Sequence, residues 1–228
     1  MGTQEDVRPA WYALERGGVR DYVTLLHPPY TLWHLSYVAL GAALAPSVHW
    51  RVLGWTALAF FLALGIGAHA LDELAGRPLR TEIPAALLVA LAVASVTAAC
   101  AIGLVVAAER TWWLAAFVGA GAFLVVAYNL ELWGGAFHSD LWFAVAWGAF
   151  PVLTAYFASA ERLGATAVAA AAFAVAASLA QRALSTEVRG ARRQAGEAAA
   201  AQAPERALQL LAVALPLLAA ALLLSRSG

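Results

Sequence analysis

One long apolar run constrains this chain more than any other feature. Residues 84–107 contain no charged side chain, and about 20 apolar residues suffice for a helix to cross a bilayer. Over the whole chain, 63% of the 228 residues are hydrophobic and 12% are charged. In soluble domains, about 45–50% of the residues are hydrophobic and about 25% are charged. The composition excludes a soluble enzyme, a disordered protein and a basic nucleic-acid binder, so we expect an all-α integral membrane helix bundle.

Seven apolar runs have the length of a membrane span, and we expect each to form a transmembrane helix. Together they predict one helical transmembrane domain, residues 30–228, behind an N-terminal segment, residues 1–29. The polar stretch 182–206 connects the last two spans, and its low-complexity part, residues 195–203, is predicted to be a helical loop. The predicted spans lie at about 30–48, 51–71, 84–107, 111–128, 141–160, 163–181 and 207–225.

The N-terminal segment combines charged residues with a short apolar face. A helix interrupted at Gly17-Gly18 would place on one side the apolar residues Trp11, Leu14, Tyr22 and Leu25. Such an amphipathic helix lies in the membrane interface. At its end, His27-Pro28-Pro29 predicts an extended turn into the first span, because the residue before a proline disfavours the helical region.

Arginine distribution predicts the orientation of the bundle. All 14 basic residues are arginine. One side of the predicted topology carries only Arg51, Arg110, Arg162 and Arg226, which leaves ten arginines on the side of the N-terminus. Because basic residues favour the cytoplasmic side, we expect a protein of the cytoplasmic membrane with its N-terminus in the cytoplasm and its C-terminus outside.

The second span ends in a concentrated group of ionisable residues, His69-x-x-Asp72-Glu73. Positions i, i+3 and i+4 share one face of a helix, and an imidazole with two carboxylates can bind a divalent cation. The alternative is a helix end in water, where the two acids pair with Arg77 and Arg80. The spacing by itself leaves both interpretations open.

Several features follow one another along the spans in a recognisable order. The acidic end of the second span precedes Arg77-Pro78-Leu79, and the sixth span ends at Gln181-Arg182. With residues 27–44 and 127–153, these features resemble the UbiA prenyltransferase superfamily over about residues 27–195. Members of that superfamily bundle usually nine helices around a cavity open to lipid, and they bind Mg²⁺ and a prenyl diphosphate at the cytoplasmic end.

The resemblance implies a function and a set of site residues. It implies an enzyme that transfers or cyclises a prenyl group from an isoprenoid diphosphate, with Mg²⁺ as cofactor. The catalytic residues would be Asp72, Glu73 and Tyr128. The residues that hold the diphosphate or its polar surroundings would be Arg77, Arg80, Asn129, Gln181 and Arg182.

The chain departs from the superfamily pattern at both metal-binding motifs. Ala68 and His69 stand where the superfamily has Asn-Asp, and near Gln181 only Glu187 is acidic. The chain contains no lysine, although the superfamily often places one shortly after the tyrosine that matches Tyr128. Seven predicted spans replace the usual nine.

These departures favour two alternatives on the same bundle. Histidine suits transition metals better than Mg²⁺, so one alternative is an Fe- or Zn-dependent enzyme acting on a lipid-soluble substrate. Its metal ligands would be His34, His69, Asp72, Glu73, Glu131 and His138. The other alternative is a non-catalytic protein that binds a membrane lipid or an isoprenoid, or that assembles with a partner or as a homo-oligomer. No nucleic-acid partner is expected.

Overall fold

The computed structural model describes residues 9–193 and 198–227, and this part of the chain is helical and contains no strand. A short irregular helical turn, Leu132–Gly135, separates the fifth helix from the sixth. The other helices are α1 Val19–Leu25, α2 Pro28–Leu44, α3 Trp50–Gly76, α4 Ala85–Glu109, α5 Leu114–Asn129, α6 Asp140–Ala160, α7 Ala165–Arg193 and α8 Ala198–Leu224.

The structure confirms a helical bundle of the membrane type. Five of the described helices are long and apolar enough to cross a bilayer, namely α3, α4, α6, α7 and α8. The helices α2 to α8 correspond in order to the seven predicted spans, and α2 and α5 are the shorter ones, with 17 and 16 residues. Whether all seven cross the membrane stays a prediction.

The connection between the last two predicted spans, residues 182–206, is helical over most of its described length. Helix α7 continues to Arg193 and α8 already begins at Ala198, while residues 194–197 lie outside the described part of the chain. The polar side chains of this stretch do not end the two helices. Arg192 Nη2 in α7 lies 2.6 Å from Glu205 Oε2 in α8. The ion pair joins the last turns of α7 to the first turns of α8.

Helix α2 lies at the centre of the bundle. It packs against α3, α6 and α8, while α7 packs against both α6 and α8. On the other side, α4 packs against α3 and α5. Because successive long helices run in alternating directions, the start of α2 lies at the same end of the bundle as the ends of α3, α5 and α7.

Small residues permit the closest helix contacts. A Cβ atom on Gly41 of α2 would lie 2.3 Å from the carbonyl oxygen of Val152 in α6. A Cβ atom on Gly148 of α6 would lie 2.7 Å from the carbonyl oxygen of Ala174 in α7. Glycine lets helix backbones approach closely where lipid supplies no hydrophobic driving force between helices.

Two helices contain π-helical segments, Phe61–Ala68 in α3 and Ala144–Ala149 in α6. The second segment directly precedes Pro151, which has no N–H to offer to the Trp147 carbonyl four residues earlier. His34 Nδ1 lies 3.0 Å from that carbonyl oxygen. The helix is therefore irregular just before Pro151, and a side chain of α2 compensates for the missing backbone donor.

Substituting Gly41 tests the packing of α2 on α6. We expect Gly41→Ala to destabilise the protein by about 1–3 kcal/mol, because the new methyl group overpacks a backbone contact. The matched control is Gly54→Ala in α3, where a Cβ atom meets nothing within 4 Å. Thermal unfolding in detergent, followed by tryptophan fluorescence, measures both. Equal melting temperatures for Gly41→Ala and the wild type would contradict the packing.

Candidate functional site

Most ionisable side chains of the bundle interior gather at one end, which we call the polar end. It is formed where α2 and α6 begin and where α3, α5 and α7 finish. Contacts between these elements define it: His27 with His69, Tyr128 with His138, and Arg182 with Asp140. The sequence predicted that most of these residues lie on one side of the bundle, and the structure brings them together.

Three histidines lie side by side at the polar end. His34 Nδ1 donates to the Trp147 carbonyl at 3.0 Å, and His69 Nδ1 donates to the Gly65 carbonyl at 3.2 Å. Because a carbonyl oxygen only accepts, these bonds assign the proton to Nδ1 and make each Nε2 an acceptor. The ring of His27 stacks on that of His69, with centroids 4.1 Å apart.

The His27 side chain is held in its neutral form. Burial lowers the pKa of His27 well below its ordinary value, and the neighbouring His69 and His34 act in the same direction. Its Nδ1 is hydrogen-bonded to the hydroxyl of Tyr12. Burial also raises the pKa of Tyr12. Near neutral pH, the contact between these two side chains is therefore a bond between uncharged groups.

Glu73 is completely buried, and its carboxylate holds the loop between α3 and α4. It accepts from the backbone N–H of Leu79 at 2.9 Å and from that of Thr81 at 2.8 Å. The Thr81 hydroxyl donates a third bond at 2.9 Å. Three donors thus already surround the carboxylate, and the metal-binding and catalytic role of Glu73 stays a prediction.

Two other predicted substrate ligands also support local backbone. Arg77 Nη1 donates to the carbonyl oxygens of Thr81 and Ile83, at 3.2 and 2.6 Å. Asn129 Nδ2 donates to the Val125 carbonyl at 2.7 Å at the end of α5. Arg80 lies exposed in the same loop as Arg77. The structure thus places Arg77 and Asn129 in contacts other than the predicted ones.

Four predicted residues do converge, and we call them the Asp72 cluster: Asp72, Tyr128, His138 and Arg182. The Asp72 carboxylate interacts electrostatically with His138 and Arg182, and Tyr128 interacts with both Asp72 and Arg182. His138 Nδ1 donates to the Tyr128 carbonyl at 3.0 Å, and the two rings lie 4.5 Å apart.

The fourth member of this cluster, Arg182, is placed by contacts with α6. Its Nε lies 2.8 Å from Asp140 Oδ1, and its guanidinium lies 5.1 Å from the ring centroid of Phe143. Because the Asp140 side chain is 61% exposed, the ion pair is in contact with solvent and is easily exchanged.

The predicted metal ligands are not brought into one site. In residues 9–193 and 198–227, no group of three or more His, Cys, Asp or Glu side chains is arranged to hold a metal ion. Glu131 Oε1 lies 4.0 Å from His138 Nε2 on the surface. A diphosphate with Mg²⁺ requires several carboxylates, and here Glu73 holds a loop while Asp140 pairs with Arg182. The residues present do not fit a Mg²⁺ centre.

An apolar cavity of about 90 Å³ lies among the long helices of the bundle. Helices α3, α4, α5 and α6 line it, and Trp147 links it to the Asp72 cluster because its ring also lies 5.5 Å from that of Tyr128. The cavity-lining residues that matter below are Phe117, Gly121, Val125, Trp147 and Phe150.

Gln181, another predicted substrate ligand, is 4% exposed at the polar end of α7. Its Oε1 is buried and has no hydrogen-bond partner within the described residues. One helical turn earlier, Ser178 Oγ lies 3.2 Å from the Tyr37 hydroxyl of α2. Gln181 therefore faces the interior of the bundle with an acceptor that a ligand could use.

Sequence reasoning missed the residues that cover the polar end. Among residues 9–27, the described helix is α1, Val19–Leu25; Leu25 is buried, whereas Leu14 and Tyr22 are exposed. His27 adopts φ 45°, not an extended conformation. The signal for this arrangement was Gly17-Gly18 followed by Asp21, because Asp21 accepts from the N–H groups of Gly17 and Glu82, at 3.0 and 2.8 Å.

Comparison with known proteins gives no relative: no family model, no curated protein and no solved structure matches the chain.

Glu73 and Asp72 provide a matched pair for testing the division of roles. We expect Glu73→Gln to cost about 1–3 kcal/mol of stability, because the amide nitrogen would face a buried N–H donor. Asp72→Asn should change stability by less than about 0.5 kcal/mol, since its side chain holds no backbone group of the described residues. Thermal unfolding of both variants in detergent measures the difference. Similar losses in both would show that Glu73 does not hold the loop.

The buried His27 predicts a loss of stability in mild acid. The unfolded chain protonates this imidazole near its ordinary pKa of about 6.5, whereas the folded protein resists protonation. Its contribution is therefore complete above about pH 6.5 and declines below that by up to about 1.4 kcal/mol per pH unit. Melting temperatures between pH 7 and pH 5 should fall less steeply in His27→Asn, where asparagine tolerates the positive φ. An equally steep fall in both proteins would contradict this prediction.

Proposed function

We propose that this chain is a divergent UbiA-like membrane protein that binds an isoprenoid phosphate or diphosphate. Part of the prenyl chain occupies the apolar cavity, and the anionic head lies at the Asp72 cluster. The observation that carries the proposal is the junction of Trp147 and Tyr128, 5.5 Å apart, where the cavity meets the polar end. A ligand that fits both regions is apolar along its length and charged at one end.

The cavity supports an apolar, branched chain as its occupant. Aromatic side chains of α5 and α6 line it, and Phe117 stacks on Phe157 with centroids 5.0 Å apart. The cavity lies among helices whose outer faces are exposed and apolar. A lipid-soluble ligand can therefore reach it from the membrane, and burying its chain contributes about 25 cal/mol per Å² of apolar surface.

Arginine side chains on α7 support an anionic head. Arg182 belongs to the Asp72 cluster, and Arg189 interacts electrostatically with Asp72 and Tyr128 from two turns further along. A guanidinium binds phosphate oxygens in a bidentate fashion. In this proposal the phosphate takes the place of Asp140 beside Arg182, which costs little because that ion pair is in contact with solvent.

A second candidate function is transfer of the prenyl group. Asp72 and Tyr128 favour it, because they lie where the first carbon of the chain would meet the head. The C–O bond to diphosphate would break, and the diphosphate would leave with the bonding electron pair. Arginine side chains would hold the leaving diphosphate, and an acceptor would bond to that carbon. Asp72 would take the proton that the acceptor loses. Because the residues present do not fit a Mg²⁺ centre, the proposed transfer includes no metal-dependent step.

We also propose that the polar end faces the cytoplasm. Ten of the 14 arginines belong to the side of the predicted topology that includes this end, and basic residues favour the cytoplasmic side. The N-terminus would then be cytoplasmic and the C-terminus outside.

A photoreactive farnesyl diphosphate tests the binding proposal on purified protein in nanodiscs. We expect it to crosslink to residues of α5 and α6, and unlabelled farnesyl diphosphate to compete. Gly121→Leu should abolish crosslinking, because a Cβ atom there already lies 3.1 Å from Phe150 Cε1. Arg182→Ala should weaken binding by about two- to fivefold, because a charge pair in contact with solvent contributes about 0.2–1 kcal/mol.

Matched controls make this experiment decisive. Gly119→Leu enlarges a glycine of the same helix that meets nothing within 4 Å, and Arg51→Ala removes an arginine at the opposite end. Neither should alter crosslinking. Labelling that these controls reduce as strongly as the test variants would refute the proposal. Release of diphosphate on adding candidate acceptors, lost in Asp72→Asn, would establish transfer; binding without release would establish a binding protein.

A further inference from the structure

Residues 9–16 lie over the stacked rings of His27 and His69, and we call this segment the lid. We propose that the lid is a movable cover that swings about Gly17-Gly18 and opens the polar end to water. The role of the lid as a gate for an anionic head rests on the proposed function, whereas the movement of the lid does not rest on it.

The closed position depends on a few contacts with the lid. The Tyr12 hydroxyl is hydrogen-bonded to His27 Nδ1, and the Tyr12 ring meets that of Tyr30 edge-on at 5.4 Å. Ala13 is 1% exposed. The Leu14 N–H donates to Thr24 Oγ1 at 3.0 Å. These contacts close the approach to His27, and on the surface Glu15 Oε2 pairs with Arg20 Nη1 of α1 at 2.7 Å.

The two glycines after the lid have the conformation of a hinge. Gly17 has φ 103° and Gly18 has φ 62°, values that only glycine adopts readily. Beyond them, Asp21 is anchored to the Glu82 N–H of the α3–α4 loop, and Leu25 is 2% exposed. Helix α1 is thus fixed to the bundle, and rotation at the glycines moves the lid alone.

The closed lid leaves a polar atom unsatisfied beneath it. His27 Nε2 is buried and has no hydrogen-bond partner within the described residues. Such atoms are rare because burying them without a partner is unfavourable. Opening the lid gives this atom access to water, so the closed position is poised against an open one.

The lid also lies on the route to the proposed site. Tyr12 interacts electrostatically with Asp72 and with Arg189 of α7. The segment therefore covers the aqueous side of the polar end, opposite the apolar cavity. A head with oxygen acceptors that enters from this side would meet His27 Nε2 first.

Histidine modification by diethyl pyrocarbonate, mapped by mass spectrometry, tests the lid on the full chain in nanodiscs without any isoprenoid. In the wild type, we expect His27 and His69 to react at least tenfold more slowly than the exposed His138. Tyr12→Phe removes the hydroxyl that bonds to His27, and Gly18→Ala disfavours the closed backbone. Both should raise the rates at His27 and His69 at least fivefold.

The other residues of the chain supply the controls. Tyr22→Phe removes a hydroxyl from the exposed face of α1 and should leave all rates unchanged. His34 is covered by α6 and not by the lid, so its slow rate in every variant shows that the bundle is folded. Rates at His27 and His69 that equal that of His138 in the wild type, or that stay unchanged in both lid variants, would overturn the proposal.

Discussion

The arrangement of the bundle depends on a hydrogen bond that the membrane environment makes necessary. A backbone carbonyl in the bilayer core finds no water, so the protein must supply its donor. Pro151 cannot serve the Trp147 carbonyl, and His34 donates to it across the α2–α6 interface. One turn along α2, Tyr37 reaches Ser178 of α7. These two contacts fix three helices at the depth where the polar end begins.

The division of labour between adjacent acids follows from helix geometry. Successive residues on an α-helix point about 100° apart, since a turn holds about 3.6 residues. Asp72 therefore faces the junction of α5 and α7, while Glu73 faces the loop to α4 and is used up in holding it. The same rotation between successive residues explains why an acidic pair that resembles a metal-binding motif provides only one carboxylate, that of Asp72, for the site.

The sequence predicted the helices well because apolar length decides them. It predicted the residues of the site less well, since their partners are distant in the chain: Glu73 meets Thr81, and His34 meets Trp147. The lid was beyond prediction for a related reason, because nothing near Tyr12 shows that its hydroxyl meets His27. The length of α7 was underestimated because polar residues were taken to end a helix, whereas Arg192 pairs with Glu205 on the next one.

The charges at the polar end indicate how binding energy would be divided. Arg182 stands beside Asp140 and close to Asp72, so the region holds both signs of charge and presents no strongly basic patch. An anionic head would bind Arg182 mainly by taking the place of Asp140. Such an exchange in contact with solvent contributes little binding free energy and is screened by salt. Most of the affinity would then come from the prenyl chain in the apolar cavity. A protein built this way would select its ligand by the chain and orient it by the head.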